Sequence, residues 1–277
     1  MALSPSQTFA SVNEGKVEVD FSLPVDEVFN TISASQGRSS QDWIKMIQLS
    51  EAYIAFIEVN SISVSDRIDA YSRTAKVFGD YSIFSNLLDP AVVSFNFYKK
   101  AFQLAEKTFG NSSTIFFDNL YSAAWASLQI NKNDQALKLS KKWQNLRKLN
   151  GLDDNEYFHL AGEIYFENRN YESSAIALKK YVTFAESDPE TTNWDLATIK
   201  RSYATTLYEL GLFDDALKNL LSAMEHAKLS ENFTEIENIY SDLAAIYDAT
   251  QQFEQQVDPG TTQEVQARRG DLECDMQ

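Results

Sequence analysis

Apolar and small residues recur along this chain at a nearly constant spacing. Phe213 lies 42 residues after Tyr171, and Ala216 lies 42 residues after Ser174. Around each pair, the pattern is that of a helix, a tight turn and a second helix. A fixed period in this range predicts stacked helical hairpins, each of which buries its apolar face only against its neighbours. Arrays of this kind are typically surfaces that hold a partner.

The composition is consistent with a helical fold. Hydrophobic residues make up 44% of the 277 residues, which is enough for a substantial core. The chain contains only 9 Gly and 5 Pro, whereas it contains 18 Phe and 13 Tyr. Few helix breakers and many large side chains favour helices over a turn-rich sandwich.

The formal net charge of −16 repels phosphate backbones and anionic lipids. The nearest candidate for a basic stripe consists of Lys138, Lys141, Lys142, Arg147 and Lys148. Their spacing is that of the solvated face of one helix, so we expect no nucleic-acid partner. An acidic chain is better suited to basic or apolar partners.

Covalent cross-links, metal motifs and targeting segments are not indicated. Cys274 is the only cysteine, so an intrachain disulfide is excluded, and no Cys/His spacing typical of a metal site occurs. We therefore expect no cofactor. The first residues lack the pattern of a signal peptide, and no apolar run is long enough to span a bilayer. We expect a cytoplasmic protein, or an exported or periplasmic one if a leader was removed.

Three regions are expected along the chain. Residues 1–38 are predicted to form a partly irregular arm, with one isolated strand pattern near Lys16 and a short helix over 25–33. Residues 39–256 are predicted to form the helical repeat domain. The tail from Val257 lacks an apolar face and is expected to be disordered. That change, together with a last hairpin without a second helix, favours a piece of a longer protein.

Helix boundaries follow from caps and breakers. Ser40 is predicted to cap the first long helix, and Ser65 with Asp66 the second. Asp89 and Pro90 are expected to begin the third. One predicted helix begins at residue 65, without a predicted end. The others cover residues 40–60, 89–109, 114–131, 135–149, 154–168, 171–186, 194–210, 214–228 and 233–250.

The chain resembles the tetratricopeptide repeat (TPR) family over roughly residues 75 to 255. The residues that carry the best match are Tyr203, Ala204, Leu207, Tyr208, Gly211, Phe213, Ala216, Leu220 and Ala223. The small residues that begin the returning helices are Ser94, Ala136, Ser174 and Ala216, at steps of 42, 38 and 42 residues. The period of the family is about 34, so the longer repeats are similar to the kinesin-light-chain-like branch.

The resemblance implies an all-α fold, a right-handed α-α superhelix in which the first helix of each hairpin lines a concave groove. It places the following residues at groove-facing positions: Asp118, Tyr121, Trp125, Leu128, Glu156, His159, Glu163, Phe166, Thr198, Arg201, Thr205, Tyr208, Asn238, Ser241, Ala245 and Asp248. The candidate peptide-binding set is Tyr121, Trp125, His159, Glu163, Phe166, Arg201, Thr205 and Tyr208. The alternative for the aromatic members is packing between hairpins.

This groove suits an extended or helical peptide with apolar anchors and a basic group. Chaperone-binding members of the family clamp a carboxylate with Lys and Asn at these positions. Here Glu163 would repel a carboxylate, so a receptor for chaperone tails is not expected.

Catalysis is not indicated by any motif. Glu156, His159 and Glu163 share one helical face and could in principle bind a metal. Such a histidine is more often a groove residue beside favourable carboxylates. No phosphate-binding loop, nucleophile elbow or Cys/His pair occurs.

We therefore expect a non-catalytic module that binds a protein or peptide partner in the groove, as a monomer or homodimer. Two alternatives remain open from the residues alone. One is a peptide-responsive sensor or regulatory domain. The other is the interaction fragment of a larger, envelope-associated protein.

Overall fold

The computed structural model of the chain describes residues 9–11, 18–34, 39–60 and 62–254. The predicted disordered tail lies outside the described residues. The chain divides into two compact units, with the boundary between Asp153 and Asp154. Each unit is described by itself below. The predicted boundaries of the arm and the repeat domain stay predictions.

The first unit begins with a two-stranded antiparallel ribbon, β1 (Phe9–Ser11) and β2 (Glu18–Asp20), followed by α1 (Val25–Ala34). Its long helices are α2 (Ser40–Val59), α3 (Val64–Ser85), α4 (Leu88–Phe109), α5 (Thr114–Gln129) and α6 (Asn133–Leu149). Within the run from α3 to α6, consecutive helices pack against each other.

The second unit contains five helices in its described residues. They are α7 (Glu156–Glu167), α8 (Tyr171–Ser187), α9 (Asn193–Glu209), α10 (Phe213–Leu229) and α11 (Phe233–Glu254). They pack in order, and α9 also contacts both α7 and α11. The prediction of an all-α fold built from successive helical hairpins is confirmed in both units.

The strand pattern near Lys16 has a partner that the sequence analysis did not identify. Val19 lies opposite Ala10 in the ribbon, and Val19 itself is buried. After the ribbon, Phe21 packs against Tyr53 of α2, with ring centroids 5.2 Å apart, and Phe29 of α1 lies 5.7 Å from the same ring. The described part of the arm is therefore held to α2 by an aromatic cluster.

Two predicted helix caps are wrong by one or two residues. Ser39, not Ser40, caps α2, because its backbone is extended and its hydroxyl accepts from the N–H of Asp42. Ser63, not Ser65, caps α3 in the same way, through the N–H of Asp66 at 3.1 Å. A cap must stand outside the helix while its side chain reaches the third helical N–H, and Ser39 and Ser63 do so.

Small residues set the distance between the helices of a hairpin. A Cβ added to Gly162 of α7 would lie 2.5 Å from Cγ of Leu178 in α8, closer than real carbon contacts come. Beside it, the Ser174 hydroxyl donates to the Gly162 carbonyl at 2.8 Å and lies 3.2 Å from Thr206 Oγ1 of α9. Leu178 is fully buried. The approach of α7 to α8 thus depends on the missing side chain.

Five of the connections between helices share one backbone conformation. A residue with positive φ follows the helix at Asn131, Gly151, Arg169, Gly211 and Glu231. At Arg169, the N–H of this residue donates to Phe166 O at 2.8 Å, and the next N–H, of Asn170, donates to Tyr165 O at 2.9 Å. This is the Schellman arrangement, which satisfies the last carbonyls of a helix and favours glycine.

Arg169→Gly should raise the free energy of unfolding by about 0.5–1 kcal/mol, because glycine adopts the left-handed conformation without the steric cost of a Cβ. Gly211→Ala should lower it by about 1 kcal/mol for the same reason. Urea denaturation measures both effects. Arg169→Ala is the matched control, since it removes the side chain but keeps the Cβ. Equal stabilities of the Gly and Ala variants would contradict this account.

Gly162→Ala should lower the free energy of unfolding by about 1 kcal/mol, because overpacking against Leu178 outweighs the helix propensity that alanine adds. In the Leu178→Ala background, the same change should become neutral or stabilising, since the clashing atoms are gone. The four proteins form a double-mutant cycle measured by urea denaturation. Additive effects would show that the contact is not what restricts position 162.

Candidate functional site

In the first unit, a cleft of about 570 Å³ lies between α3 and α5. These are the first helices of their hairpins, and Tyr98 of α4 also contributes to the lining. The remaining lining residues are Ser65, Asp66, Ile68, Asp69, Ser72, Arg73, Lys76, Ile115, Asp118, Asn119 and Ser122. A cleft of this size falls within the range of sites for small ligands and peptide side chains.

The middle of the cleft is a pre-formed polar contact between its two walls. Ser72 Oγ lies 2.6 Å from Asn119 Oδ1, and the Asn119 amide nitrogen donates to Ile115 O at 2.8 Å. Asn119 is only 5% exposed. Its amide is thus already bonded within the protein and fixes the position of α5 against α3.

The guanidinium of Arg73 is bound by two carboxylates. Arg73 Nε lies 2.9 Å from Asp69 Oδ2, one helical turn earlier, and another nitrogen contacts Asp26 of α1. Arg73 is one of the two cations that line the cleft. Its charge is therefore already compensated within the protein.

Two residues of the cleft lining, Tyr98 and Asp118, have raised pKa values. Burial raises the pKa of Tyr98 to about 12, with the charge of Asp80 adding to the shift, while a hydrogen bond with Ser122 opposes it. Burial also raises the pKa of Asp118, and the charge of Arg147 opposes that shift. The Asp118 carboxylate thus loses part of its hydration without full compensation.

The two candidate residues of α5, Tyr121 and Trp125, do not line this cleft. The Tyr121 ring lies 5.2 Å from that of Trp143 in α6, and it meets Trp125 edge-on at 6.4 Å. Both are half-buried. Tyr121 therefore packs against the second helix of its own hairpin, whereas the alternative that the sequence left open for aromatic residues was packing between hairpins.

His159 also packs within its hairpin, where its ring stacks on Tyr181 of α8 at 4.8 Å. Its Nε2 lies 3.8 Å from Glu163 Oε1. Burial lowers the pKa of His159 to about 4, with the charge of Asp195 opposing the shift. The imidazole is therefore neutral near pH 7 and behaves as an aromatic packing group.

Phe166 and Tyr208 lie beside the turns of their hairpins. Phe166 meets Tyr171 edge-on at 5.5 Å, and Tyr208 lies 5.7 Å from Phe213. Each partner begins the returning helix. Both candidates remain partly exposed, so their predicted contact with a ligand stays a prediction.

The polar candidates of the second unit connect neighbouring first helices. Arg201 of α9 donates to Glu235 at 2.7 Å and to Asp242 at 3.3 Å, both in α11. Thr205 bonds the same Asp242 carboxylate. On the other side, Ser202 donates to Glu163 of α7. Glu163 and Arg201 therefore lie in one network that joins α7, α9 and α11.

Carboxylates outnumber cations in this network. Burial raises the pKa of Glu163, and the Ser202 hydrogen bond and the Arg201 charge only oppose the shift. The pKa of Asp242 is likewise raised by burial, against the charge of Arg201. Glu163 Oε1 is buried and accepts no hydrogen bond within the described residues. The network thus has an excess of desolvated negative charge.

The α3 wall of the cleft was missed by the sequence analysis, which matched only the second helix of that hairpin. The pair of small residues that marks a close helix crossing is present as Gly79 and Ser94, since a Cβ on Gly79 would lie 3.1 Å from Ser94 Oγ. They are separated by 15 residues, however, whereas Gly162 and Ser174 are separated by 12. The longer spacing across the α3–α4 turn, where Asn86 has a φ of 54°, puts the pattern out of phase.

Neither a metal-binding cluster nor a membrane-spanning helix occurs among the described residues. No group of three or more His, Cys, Asp or Glu side chains in this part of the chain could hold a metal ion. No described helix is both long and apolar enough to cross a membrane.

No known family and no curated protein matches the sequence. Solved structures, however, are similar in fold. BtubC (BKLC) from P. vanneervenii matches with a TM-score of 0.57 and 13% identity, over 76% of this chain and 83% of its own. A putative kinesin light chain of Podosopora anserina, with nearly identical TPR-like repeats, matches with a TM-score of 0.56 and 11% identity, over 75% and 97%.

The Rap conjugation gene regulator of plasmid pLS20, solved in complex with the Phr* peptide, matches with a TM-score of 0.56 and 13% identity. The match covers 81% of this chain and 67% of the regulator. At these identities the likeness shows the fold alone. It confirms the predicted TPR-like repeat fold, including the similarity to kinesin-light-chain-like repeats.

His159→Phe should reduce the loss of stability on acidification. The unfolded state takes up a proton near pH 6.5, whereas folded His159 does so only near pH 4. Wild-type stability therefore falls as the pH falls through this window, by as much as about 3 kcal/mol from this residue. Phenylalanine keeps the stacking on Tyr181 but takes up no proton. Urea denaturation at pH 7, 5.5 and ~4 measures the difference.

Glu163→Gln is the complementary variant. Because burial raises the pKa of Glu163, folded protein gains a proton as the pH falls before unfolded protein does, and this opposes the effect of His159. The Gln variant should thus lose more stability on acidification than wild type. Parallel acid profiles for wild type and both variants would contradict the assignment.

Proposed function

We propose that the chain is a non-catalytic interaction module that binds a peptide or protein segment in clefts between the first helices of its hairpins. The observation that carries the proposal is the polar cleft of about 570 Å³ between α3 and α5. Its walls are long helices held in place by the Ser72–Asn119 contact. A rigid, open and polar cleft suits a segment that supplies hydrogen bonds and charge.

The fold likeness supports the same function. The Rap regulator, which has a similar fold, is described in complex with a peptide. In this chain, the second unit also presents polar groups along its first helices, at Glu163, Arg201 and Thr205. Pre-organised polar groups with partly desolvated charge lower the cost of ordering a bound segment. The candidate residues of this unit belong to the proposal.

A regulatory role is the second candidate. It is favoured by the similar fold of the Rap conjugation gene regulator, whose structure was solved in complex with a peptide. Under this alternative, the bound segment is a signal, and the array changes its curvature when it binds. Small-angle scattering with and without a selected peptide separates the two candidates, since a simple adaptor should give superimposable profiles.

Selection from a random peptide library displayed on phage tests the proposed function. The full chain should enrich peptides whose affinity falls about tenfold or more in Ser122→Trp, because the indole fills the cleft. Gln103→Trp, on the exposed face of α4, is the matched control and should bind as wild type does. Thermal unfolding shows whether each variant folds.

Two outcomes would contradict the proposed function. One is a failure to enrich any peptide over a library passed across an unrelated protein. The other is equal binding of the selected peptides by Ser122→Trp and wild type, which would place the binding surface outside the cleft.

A further inference from the structure

We infer that the cleft of the first unit selects segments that carry a basic group, an ammonium or a guanidinium, which is bound between Asp118 and Asp66. This inference rests on the proposed function and adds the chemical class of the partner. The cleft is lined by three carboxylates, on Asp66, Asp69 and Asp118, and by two cations, on Arg73 and Lys76. A ligand can pair only with those charges that the protein itself does not already compensate.

Arg73 is already paired with carboxylates of the protein, whereas Lys76 acts on a carboxylate only through space. Arg73 is bound by Asp69 inside the cleft and by Asp26 outside it. Lys76 acts on Asp80, one helical turn later, where its charge opposes the rise in the Asp80 pKa that burial causes. An anionic segment would have to compete with Asp26 and Asp69 for Arg73.

Two carboxylates of the cleft remain without such compensation. Asp66 accepts a hydrogen bond from the Ser63 hydroxyl at 2.7 Å, which is a neutral donor. Neither Asp66 nor Asp118 has a cation within 4 Å among the described residues. They lie on opposite walls, one on α3 and the other on α5.

The nearest compensating charge for Asp118 is held elsewhere. Arg147 of α6 acts on Asp118 through space, but its guanidinium lies 4.7 Å from the Trp143 ring centroid and its Nε donates to Asp153 O. The Asp118 side chain is exposed, and the partial desolvation that it still experiences raises its pKa. A cation that entered the cleft would restore favourable electrostatics at Asp118 without displacing any existing ion pair.

The cleft volume also fits this class of ligand. It provides room for a long basic side chain together with the backbone on either side. Tyr98, Ile68 and Ile115 provide the less polar lining that the methylene groups of Lys or Arg require. A free amino terminus of a peptide carries the same charge but extends less far than a Lys or Arg side chain. Experiment separates these two sources of charge.

Peptides selected on the wild-type chain should be enriched in Lys or Arg relative to the starting library. For one such peptide, Asp118→Asn should weaken binding about fivefold to tenfold, and replacing the basic residue by Gln should weaken it to the same extent. The two changes together should weaken binding no further than either alone, which is the mark of a direct contact. Asp89→Asn, at an exposed position of α4 outside the cleft, is the matched control.

Acetylation of the peptide amino terminus separates the two sources of charge, since it removes the ammonium but leaves the side chain. N-acetylarginine amide is a second probe that needs no selected peptide. It should shift the NMR signals of Ser72 and Ser122 in wild type, and more weakly in Asp118→Asn. N-acetylglutamine amide should leave them unchanged.

The inference and the proposed function fail differently. Selected peptides without basic residues, which Ser122→Trp still fails to bind, would overturn the inference and leave the cleft as the binding site. Additive effects of Asp118→Asn and the peptide substitution would overturn it as well. If no peptide is enriched and N-acetylarginine amide causes no shift, both fail together.

Discussion

Helices can approach as closely as α7 and α8 do only where one of them lacks a side chain at the crossing. Gly162 provides that space, Leu178 fills it, and the Ser174 hydroxyl bonds the carbonyl that the glycine leaves accessible. Close packing at such crossings fixes how the two helices of a hairpin are oriented and how closely they approach. Protein interiors tolerate little change in volume. The positions of all groups on the first helices follow from these contacts. A binding surface built on them is therefore as rigid as the hairpins themselves.

The long helices could be predicted from the sequence because local and tertiary preferences agree. Periodic apolar residues, a cap and a breaker mark both ends of most of them, and the observed bounds differ by only a few residues. The caps at Ser39 and Ser63 were misassigned because several serines compete there, and local sequence does not show which backbone is extended. The ribbon partner of Val19 was missed because a three-residue strand has too little pattern to be distinguished.

Less of the candidate site could be predicted. Repeat position identified α5, α7, α9 and α11 as the first helices of hairpins, and it placed Glu163, Arg201 and Thr205 where they form a shared network. It could not tell which aromatic rings turn toward their own hairpin, since Tyr121 and His159 are drawn to Trp143 and Tyr181 by packing across helices. Nor could it locate the α3 wall, where three additional residues interrupt the spacing. Side-chain direction and charge compensation depend on contacts that spacing alone does not specify.

The Schellman turns have a consequence for how such a chain can change in length. Ala124 and Ala136, Gly162 and Ser174, and Ala204 and Ala216 are each 12 residues apart, so the segment across these turns is invariant. The step of 38 instead of 42 residues arises elsewhere, because α7 has 12 residues and α9 has 17, while the loop before α7 (150–155) is one residue longer than the loop before α9 (188–192). A difference of four residues is close to one helical turn of about 3.6. Deletion of one whole helical turn at the open end of a hairpin thus keeps the same faces of the helices buried. Loss of one residue from the loop between the two helices would instead rotate the returning helix by roughly 100°.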